Sequence, residues 1–421
     1  MKELKNRENI FRFILITAIF LFYPALSLAQ SNSCIDCHKE LEDELLAPVE
    51  SFERDIHRQF GLSCTDCHGG NPAEEDIDLA KDESFKGIPK RFQTPEFCAR
   101  CHSDSSYMRR FNPSLRVDQE EMYWTSEHGN LLKKGDTKAA VCTDCHNTHG
   151  IQAATHPKSW TFPWNIPQMC GRCHSDKSYM EEYKISTSQW DDYKESVHAQ
   201  ALFEKKDLSA PVCNDCHGNH GAIPPEVTSI AYVCHQCHPS AADLFSQSPH
   251  KTVFDELEIS ECEACHGKHK IVPPTDDMLG TGEKAVCIQC HEPDTKPYQI
   301  AFRIKEKFDG FIKKIETADN LLEQADREGV EVSEPKFRLT EANTALIFAR
   351  NLIHSFSLEE IEGKVEEGEK VADEVIQAGE AALREAKFRK SGLIVATCFI
   401  FLLAVALFLK IKLIEKKTPA K

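Results

Sequence analysis

Residues 213–220 read Cys-Asn-Asp-Cys-His-Gly-Asn-His, and much of the chain repeats variants of this segment. Two cysteines separated by two residues and followed at once by a histidine are the attachment signature of c-type haem. Both thiols bond to the porphyrin, and the imidazole of His217 takes one face of the iron. A second histidine, His220, follows three residues later, where a helical turn would bring it about 5–6 Å from His217. Since His217 already serves its own haem, we expect His220 to bind the iron of another haem.

The Cys-x-x-Cys-His signature occurs nine times and uses eighteen of the nineteen cysteines. A single copy could be half of a zinc site or a disulfide, but zinc ribbons do not need a histidine directly after the second cysteine. The repetition therefore predicts nine covalently bound haem c groups. The cysteines predicted to bind haem are Cys34, Cys37, Cys64, Cys67, Cys98, Cys101, Cys142, Cys145, Cys170, Cys173, Cys213, Cys216, Cys234, Cys237, Cys262, Cys265, Cys287 and Cys290. The motif histidines predicted to bind iron are His38, His68, His102, His146, His174, His217, His238, His266 and His291.

After a lone motif that ends at His38, the remaining eight motifs form four modules of two motifs each. Each module has an upstream histidine outside the motifs, a first motif, usually a second histidine three residues later, and a second motif. We interpret these extra histidines as distal iron ligands; the alternative is that they lie at the surface or bind haem propionates. The predicted distal ligands are His57, His128, His149, His198, His220, His250 and His269.

Nine irons therefore have seven predicted distal histidines, and the first module departs from the pattern. Its segment after His68 continues Gly-Gly-Asn, with no histidine three residues on. One or two haems are expected to take His156, His235, a methionine such as Met108, or no protein ligand. His354 lies far outside the motifs, in a helical region, and is expected to be a surface residue.

The chain has 421 residues, 28% of them charged, and its net charge of −17 disfavours nucleic acid as a partner. Residues 30–295 are predicted to form a nonahaem cytochrome c domain. It has roughly 30 residues for each haem, too few to enclose every ring in a separate apolar core. We therefore expect a mainly α fold with much irregular structure, in which the haems pack together as an array and form the interior.

The first 29 residues are predicted to be a secretory signal peptide. Basic residues occur before position 8, an apolar run covers residues 13–22, and small residues at 27–29 suit cleavage. The alternative is an uncleaved anchor. In both cases the haem region would be exported, which agrees with covalent haem attachment outside the cytoplasmic membrane of bacteria.

Residues 296–390 are predicted to form a helical hairpin or bundle with a heptad pattern. The apolar positions recur from Ile304 to Ala325, break at Glu328-Gly329, and resume from Leu339. Ser357 is a predicted N-cap for a further helix. The apolar stripe is expected to pack internally, against the haem region, or against a second copy as a homo-oligomer, and no residue here suggests chemistry.

Residues 391–410 are predicted to form a single transmembrane helix, because residues 392–409 are an apolar run of eighteen residues. Lysines are frequent in the tail that follows, residues 411–421, which places this tail in the cytoplasm by the positive-inside rule. Cys398, the nineteenth cysteine, is expected to be an apolar filler within the span. The predicted location is the inner membrane, with the bulk of the chain in the periplasm.

Residues 34–291 resemble the periplasmic multihaem c-type cytochromes, and the modules look like the units of small tetrahaem and pentahaem electron carriers. This resemblance implies electron relay between a membrane redox partner and periplasmic or outer-membrane acceptors, through low-spin haems and without catalytic residues. A carrier is therefore favoured over an enzyme with its own substrate.

Two alternatives remain open. A helical segment after a haem array also resembles the octahaem hydroxylamine oxidoreductase and pentahaem nitrite reductase group, whose members keep one haem with an open axial site. No motif here has lysine in place of the histidine, as is typical of the nitrite reductases. The other alternative is quinol oxidation at the membrane. Helices of 30 residues are about 45 Å long and would hold the last haem off the bilayer, so a partner membrane subunit is expected to oxidise the quinol.

Overall fold

The structure is a computed structural model, and it describes residues 32–41, 45–224 and 230–417. The predicted signal peptide over residues 1–29 and the last residues of the predicted tail, 418–421, lie outside the described residues. The chain divides into two compact units. One consists of Met1–Asp191 with His198–Pro224, and the other of Asp192–Val197 with Pro225–Lys421.

The fold is mainly α, as predicted, and the described ranges contain helices and irregular segments without a β-strand. The helices up to residue 217 are α1 (Ser33–Glu40), α2 (Ala47–Phe52), α3 (Ile56–Gln59), α4 (Cys64–His68), α5 (Ile77–Ala80), α6 (Thr94–His102), α7 (Ser105–Met108), α8 (Gln119–Tyr123), α9 (Glu127–Lys133), α10 (Cys142–His146), α11 (Ile166–His174), α12 (Lys177–Met180), α13 (Gln189–Lys194), α14 (Val197–Phe203) and α15 (Cys213–His217). The later helices are α16 (Ile230–His235), α17 (Pro239–Ser246), α18 (Pro249–Glu256), α19 (Glu263–His266), α20 (Lys296–Arg327), α21 (Ser333–Leu352) and α22 (Leu358–Lys417). Short 3₁₀ turns occur at Arg91–Gln93, Glu181–Tyr183, Asp276–Met278, Cys287–Gln289 and Ile353–Ser355.

Three first-motif helices, α4, α10 and α15, have five residues each, and both of their ends have a local cause. The aspartate before the second cysteine accepts a hydrogen bond from the backbone N–H just ahead of the helix, as Asp66 does from Ser63 at 2.7 Å. The residue after the motif histidine has a positive φ, 70° at Gly69 and 74° at Asn147, which ends the helix. A Cβ atom at Gly69 would lie 2.0 Å from the carbonyl oxygen of Ser84, so glycine is required there.

The second-motif helices α6 and α11 show that the first two modules are structural repeats. Each has nine residues, with proline in its first turn, and each is followed by an aspartate that caps the next four-residue helix. The arginine between the two cysteines makes the same kind of hydrogen bond in both modules. Arg100 donates to the carbonyl of Cys67 at 2.9 Å, and Arg172 donates to that of Asp144 at 2.6 Å. These bonds attach the second motif of a module to its first.

Helices α20, α21 and α22 form a three-helix bundle, which is one of the two arrangements predicted. Hydrogen bonds join Arg303 to Glu362 at 3.0 Å and Lys314 to Asp373 at 2.9 Å, with the same offset of 59 residues. A constant offset means that α20 and α22 run in parallel, with α21 antiparallel to both. The predicted heptad positions of α20 are all buried, namely Ile304, Phe308, Phe311, Ile315, Ala318, Leu322 and Ala325.

The third bundle helix and the predicted membrane span are one continuous helix, α22. Its bundle part is buried at intervals up to Ala386, and from residue 387 onward its described side chains are exposed. The most apolar window of α22 has a mean hydropathy of 2.9 and none of it is buried. By length and composition α22 is therefore a candidate membrane anchor, and the other helices of the described ranges do not meet this criterion.

Candidate haem-binding sites

The nineteen cysteines all lie in the described ranges, and none of them forms a disulfide. The described residues also contain no group of three or more His, Cys, Asp or Glu side chains placed to hold a metal ion. Burial raises the pKa of several motif thiols, to about 11 for Cys67 and Cys265 and to about 12 for Cys145.

Histidine rings from distant parts of the sequence meet in pairs of one motif histidine and one histidine outside the motifs. With a metal–nitrogen distance of about 2.0 Å, as for imidazole on zinc, and about 1.2 Å from nitrogen to ring centre, two imidazoles on opposite faces of one iron would have centroids about 6.4 Å apart. The observed separations are within about 0.5 Å of this value. The pairs are His57–His102 at 5.9 Å, His68–His149 at 6.2 Å, His128–His174 at 6.1 Å, His146–His220 at 6.1 Å, His250–His291 at 5.9 Å and His266–His354 at 6.2 Å.

The pairs follow two rules within the units. The upstream histidine of a module lies opposite the second motif of the same module, as His57 does with His102. The histidine three residues after a first motif lies opposite the first motif of the preceding module, so that His220 meets His146 and not its neighbour His217. The second and third modules therefore each supply a ring to the module before them.

The histidine pairs also correct two expectations. His354 is half-buried and paired with His266, so the expectation of a surface residue is wrong. The first module was expected to leave one of its own haems without a histidine, but His149 of the second module lies opposite His68.

The remaining free histidines divide into two groups. His156 is exposed and accepts a hydrogen bond from the backbone of Lys158 at 3.2 Å. His235 is partly exposed, and its Nε2 atom lies 3.5 Å from the carboxylate of Asp243. Neither has a ring partner of the kind described above. His198 and His269 keep their sequence-based assignment as predicted distal ligands.

Hydrogen bonds at the Nδ1 atoms fix the orientation of several of these rings. Nδ1 of His57 bonds to a carboxylate oxygen of Asp55 at 2.8 Å, and Nδ1 of His68 bonds to the carbonyl of Gly87 at 3.0 Å. Nδ1 of His354 bonds to the carbonyl of Asn351 at 2.9 Å. A histidine that is bonded through Nδ1 presents Nε2 to a metal, which is the usual arrangement around metal-binding histidines.

Burial favours the neutral form of several other paired rings, which is the form that a metal ligand needs. Burial lowers the pKa of His146 to about 4, with a further contribution from the nearby ring of His220. Burial likewise lowers the pKa of the other buried rings. These are His102, His128, His149, His174, His220, His250 and His266. The donor set therefore fits haem iron with two axial imidazoles.

The attachment thiols of consecutive motifs are neighbours within each unit. The first cysteine of a module's second motif shares a hydrogen bond with the first cysteine of the next module's first motif, in the pairs Cys98–Cys142, Cys170–Cys213 and Cys234–Cys262. Inside a module the second cysteine of the first motif faces the second motif, as Cys67 faces Cys101. Neighbours in sequence are therefore neighbours in space along each run of motifs.

Two family models match the chain. The cytochrome c3 family matches residues 56–175, and the doubled CXXCH motif family matches residues 256–296. The first match covers three complete histidine pairs, His57–His102, His68–His149 and His128–His174, and the second match covers the last two motifs. No curated protein and no solved structure matches the chain.

Proposed function

We propose that this chain, which its motifs and its two family matches make a multihaem c-type cytochrome, relays electrons between a membrane redox partner and periplasmic or outer-membrane acceptors. The proposal includes nine haems, one for each Cys-x-x-Cys-His motif. It also includes a location at the inner membrane, with the haem region in the periplasm.

The observation that carries the relay is the set of six histidine pairs with ring separations of 5.9–6.2 Å. Haem bound at such a pair has both axial positions filled by protein. An iron centre of this kind changes its redox state with little rearrangement, and the protein sets its potential through ligand hydrogen bonds and burial. Neither an open coordination site nor an acid–base group is needed for this role.

The contiguity of the attachment sites supports transfer along the chain. Thiols of neighbouring motifs lie side by side within each unit, so haems bound there would follow one another without a gap in the protein. The histidine pairs add a second link, because the second and third modules each supply a ring to the module before them. An electron entering at one motif would therefore find its next acceptor at an adjoining motif.

The exposed apolar part of α22 supports the membrane location. Its described side chains from residue 387 onward are exposed, and a lipid bilayer would cover them. The basic tail supports a cytoplasmic end by the positive-inside rule. A quinol-oxidising membrane subunit is the partner class that fits this arrangement, since the bundle stands between the span and the last motif.

Partial reduction of the oxidised holoprotein in a stopped-flow instrument tests the relay. With one electron supplied per chain, the electron should redistribute among the haems within the dead time and occupy them according to potential. Haem spectra that change one at a time, each at a rate proportional to reductant concentration, would show isolated haems and contradict the relay.

A second candidate function is that of a multihaem oxidoreductase with one open haem, and His38 favours it. In the described part of the chain no histidine or aromatic ring packs against His38, whereas six other motif histidines have a partner ring. Electron paramagnetic resonance of the oxidised protein distinguishes the two functions. A stoichiometric high-spin ferric signal that nitrite or cyanide displaces would favour the oxidoreductase, and its absence would leave the carrier.

A further inference from the structure

We infer that the segment Asn351–Phe356, which joins the second and third bundle helices, belongs to the haem machinery, and that His354 is the distal axial ligand of the haem bound by Cys262 and Cys265. This inference rests on the haem array of the proposed function. It gives the helical bundle a role beyond that of a spacer, because the bundle would supply an iron ligand.

The geometry of His354 is that of the other paired histidines. Its ring centroid lies 6.2 Å from that of His266, with an interplanar angle of 26°. The Nδ1 atom is bonded to the carbonyl of Asn351, which leaves Nε2 for a metal. His266 is the histidine of the motif that contains Cys262 and Cys265. Both rings are therefore suited to bind one iron.

The backbone of the junction is shaped to present this ring. Helix α21 ends at Leu352, a 3₁₀ turn follows over Ile353–Ser355, and Phe356 has φ of 54° in the left-handed region. That conformation costs a residue with a bulky side chain roughly 1–2 kcal/mol and persists only where packing holds it. The hydroxyl of Ser355 accepts a hydrogen bond from the backbone of Ser357 at 3.2 Å and donates one to Leu352 at 2.8 Å.

Phe356 supplies the packing and reaches a second haem-binding pair. Its ring centroid lies 3.9 Å from that of His250, and His250 in turn lies 5.9 Å from the motif histidine His291. The edge of Phe245 also contacts Phe356, at 6.3 Å. The junction therefore contributes one ring to the pair at His266 and holds the distal ring of the pair at His291.

The junction occupies the position, relative to the last module, that a following module occupies relative to each earlier one. In the earlier modules, the residue just before the upstream histidine donates a backbone hydrogen bond. The acceptor is the residue two positions after the second histidine of the next module. These bonds are Ile56 to Ile151 at 2.7 Å, Glu127 to Ala222 at 3.0 Å and Val197 to Ile271 at 2.9 Å.

Pro249 precedes His250 and has no N–H group to donate, so this bond is impossible in the last module. Phe356 is the residue two positions after His354, and its ring contact with His250 takes the place of the missing bond. The junction thus repeats the placement of a module with different side chains.

Polar contacts fasten the end of α21 to the haem-motif segments. Arg350 makes two bonds to the carboxylate of Asp276, at 2.9 and 2.6 Å, and Asn351 donates to the hydroxyl of Ser240 at 2.6 Å. These contacts flank His354 on its N-terminal side, while Phe356 flanks it on the other. Movement of the bundle relative to these segments would therefore disturb the coordination of one haem.

The test replaces His354 in the full-length holoprotein and uses His156→Ala and His156→Met as matched controls at an exposed histidine. His354→Ala should convert one haem in nine from low-spin to high-spin, and added imidazole should restore it. His354→Met should keep a six-coordinate haem and raise its midpoint potential, because methionine favours the ferrous state. The controls should match the wild type.

The outcomes separate this inference from the relay. Wild-type protein that lacks low-spin haem would refute the proposed function itself. Wild-type protein with low-spin haems, combined with His354→Ala and His354→Met variants of unchanged spectra and potentials, would refute only the assignment of His354. If His354→Ala fails to assemble, the potential of the methionine variant alone decides between the two outcomes.

Discussion

Asp55 is only 2% exposed and accepts a hydrogen bond from Nδ1 of His57 at 2.8 Å. The same carboxylate accepts the backbone N–H groups of His57 and Ile151, each at 2.8 Å. Burial alone would raise the pKa of Asp55, but these hydrogen bonds lower it overall. One buried carboxylate thus connects a predicted distal ligand of one haem with the segment that carries His149, the ring paired with His68.

Asp55→Asn is expected to raise the midpoint potential of the haem attached at Cys98 and Cys101. A carboxylate bonded to a ligating imidazole makes the ring a stronger donor and stabilises ferric iron, and an amide does so less. A tenfold change in the redox equilibrium corresponds to about 59 mV for one electron, and a shift of that order should be visible in a spectroelectrochemical titration.

The matched control is Ser126→Ala, at the corresponding position two residues before His128. Ser126 caps its helix by accepting from the backbone of Gly129 at 2.9 Å and does not bond to the histidine ring. Its loss should cost about 1 kcal/mol of stability without moving any potential. Equal potentials in wild type and Asp55→Asn would show that the carboxylate has only a structural role.

His220→Ala is expected to open an axial site on the haem attached at Cys142 and Cys145, not on the haem of its own segment. The reason is the stacked pair of His220 and His146, with an interplanar angle of 11°. Resonance Raman spectra should show one high-spin haem that added imidazole returns to low spin. In a variant that also lacks Cys142 and Cys145, the high-spin signal should vanish, and its persistence would place the effect elsewhere.

The haem count is expected to be nine per chain, since each motif presents two free cysteines that are not in disulfides. Intact mass and the pyridine haemochrome assay should agree on this number. Alanine at both cysteines of one motif should lower it by one. Cys398→Ser should leave the number unchanged, because Cys398 lies outside the motifs in the apolar part of α22. A smaller integer in the wild type would mean that some motifs are not used.

The sequence predicted the bundle closely, because a heptad pattern reports burial directly. Every heptad position predicted in α20 is buried, and the predicted N-cap Ser357 accepts a hydrogen bond from the backbone of Glu360 at 3.4 Å. The heptad pattern could not show that the third bundle helix continues into the apolar run. The bundle part and the apolar part of α22 differ in periodicity and in composition.

The histidine pairs were less accessible to sequence reasoning, because the partners are far apart along the chain. His266 and His354 are separated by a whole helical hairpin, and only the fold brings them together. A signal was nevertheless present in the repeat. His149 and His220 each serve the preceding module, so by the same pattern the first motif of the last module needed a ligand from residues after His291. His354 is the only histidine there.

Substitutions at two glycines of α22 should have opposite effects on the bundle. A Cβ atom at Gly368 would lie 2.2 Å from Cζ of Phe311 and 2.9 Å from Cβ of Ala345, whereas one at Gly363 would meet nothing within 4 Å. Gly368→Ala should therefore destabilise by about 1–3 kcal/mol through overpacking. Gly363→Ala should stabilise by about 0.5–1 kcal/mol, since alanine loses less entropy in a helix.

Urea unfolding of the detergent-solubilised holoprotein, followed by far-ultraviolet circular dichroism, compares the two glycine variants with the wild type. The midpoints should move in opposite directions while the haem spectra stay unchanged. If both variants were more stable than the wild type, helix propensity, not contact with Phe311, would determine the effect at Gly368.

Ending the chain after Lys390 should release the protein from the membrane with its haems intact. The buried bundle positions run only to Ala386, and the six histidine pairs precede that point, so every removed side chain that the structure describes is an exposed one. Cell fractionation should find the truncated protein in the soluble periplasmic fraction with the full-length visible spectrum, and full-length Cys398→Ser should stay with the membranes. If the truncated protein also stays with the membranes, the uncleaved N-terminal anchor becomes the better explanation. A change in its haem spectrum would instead show that α22 beyond the bundle supports a haem site.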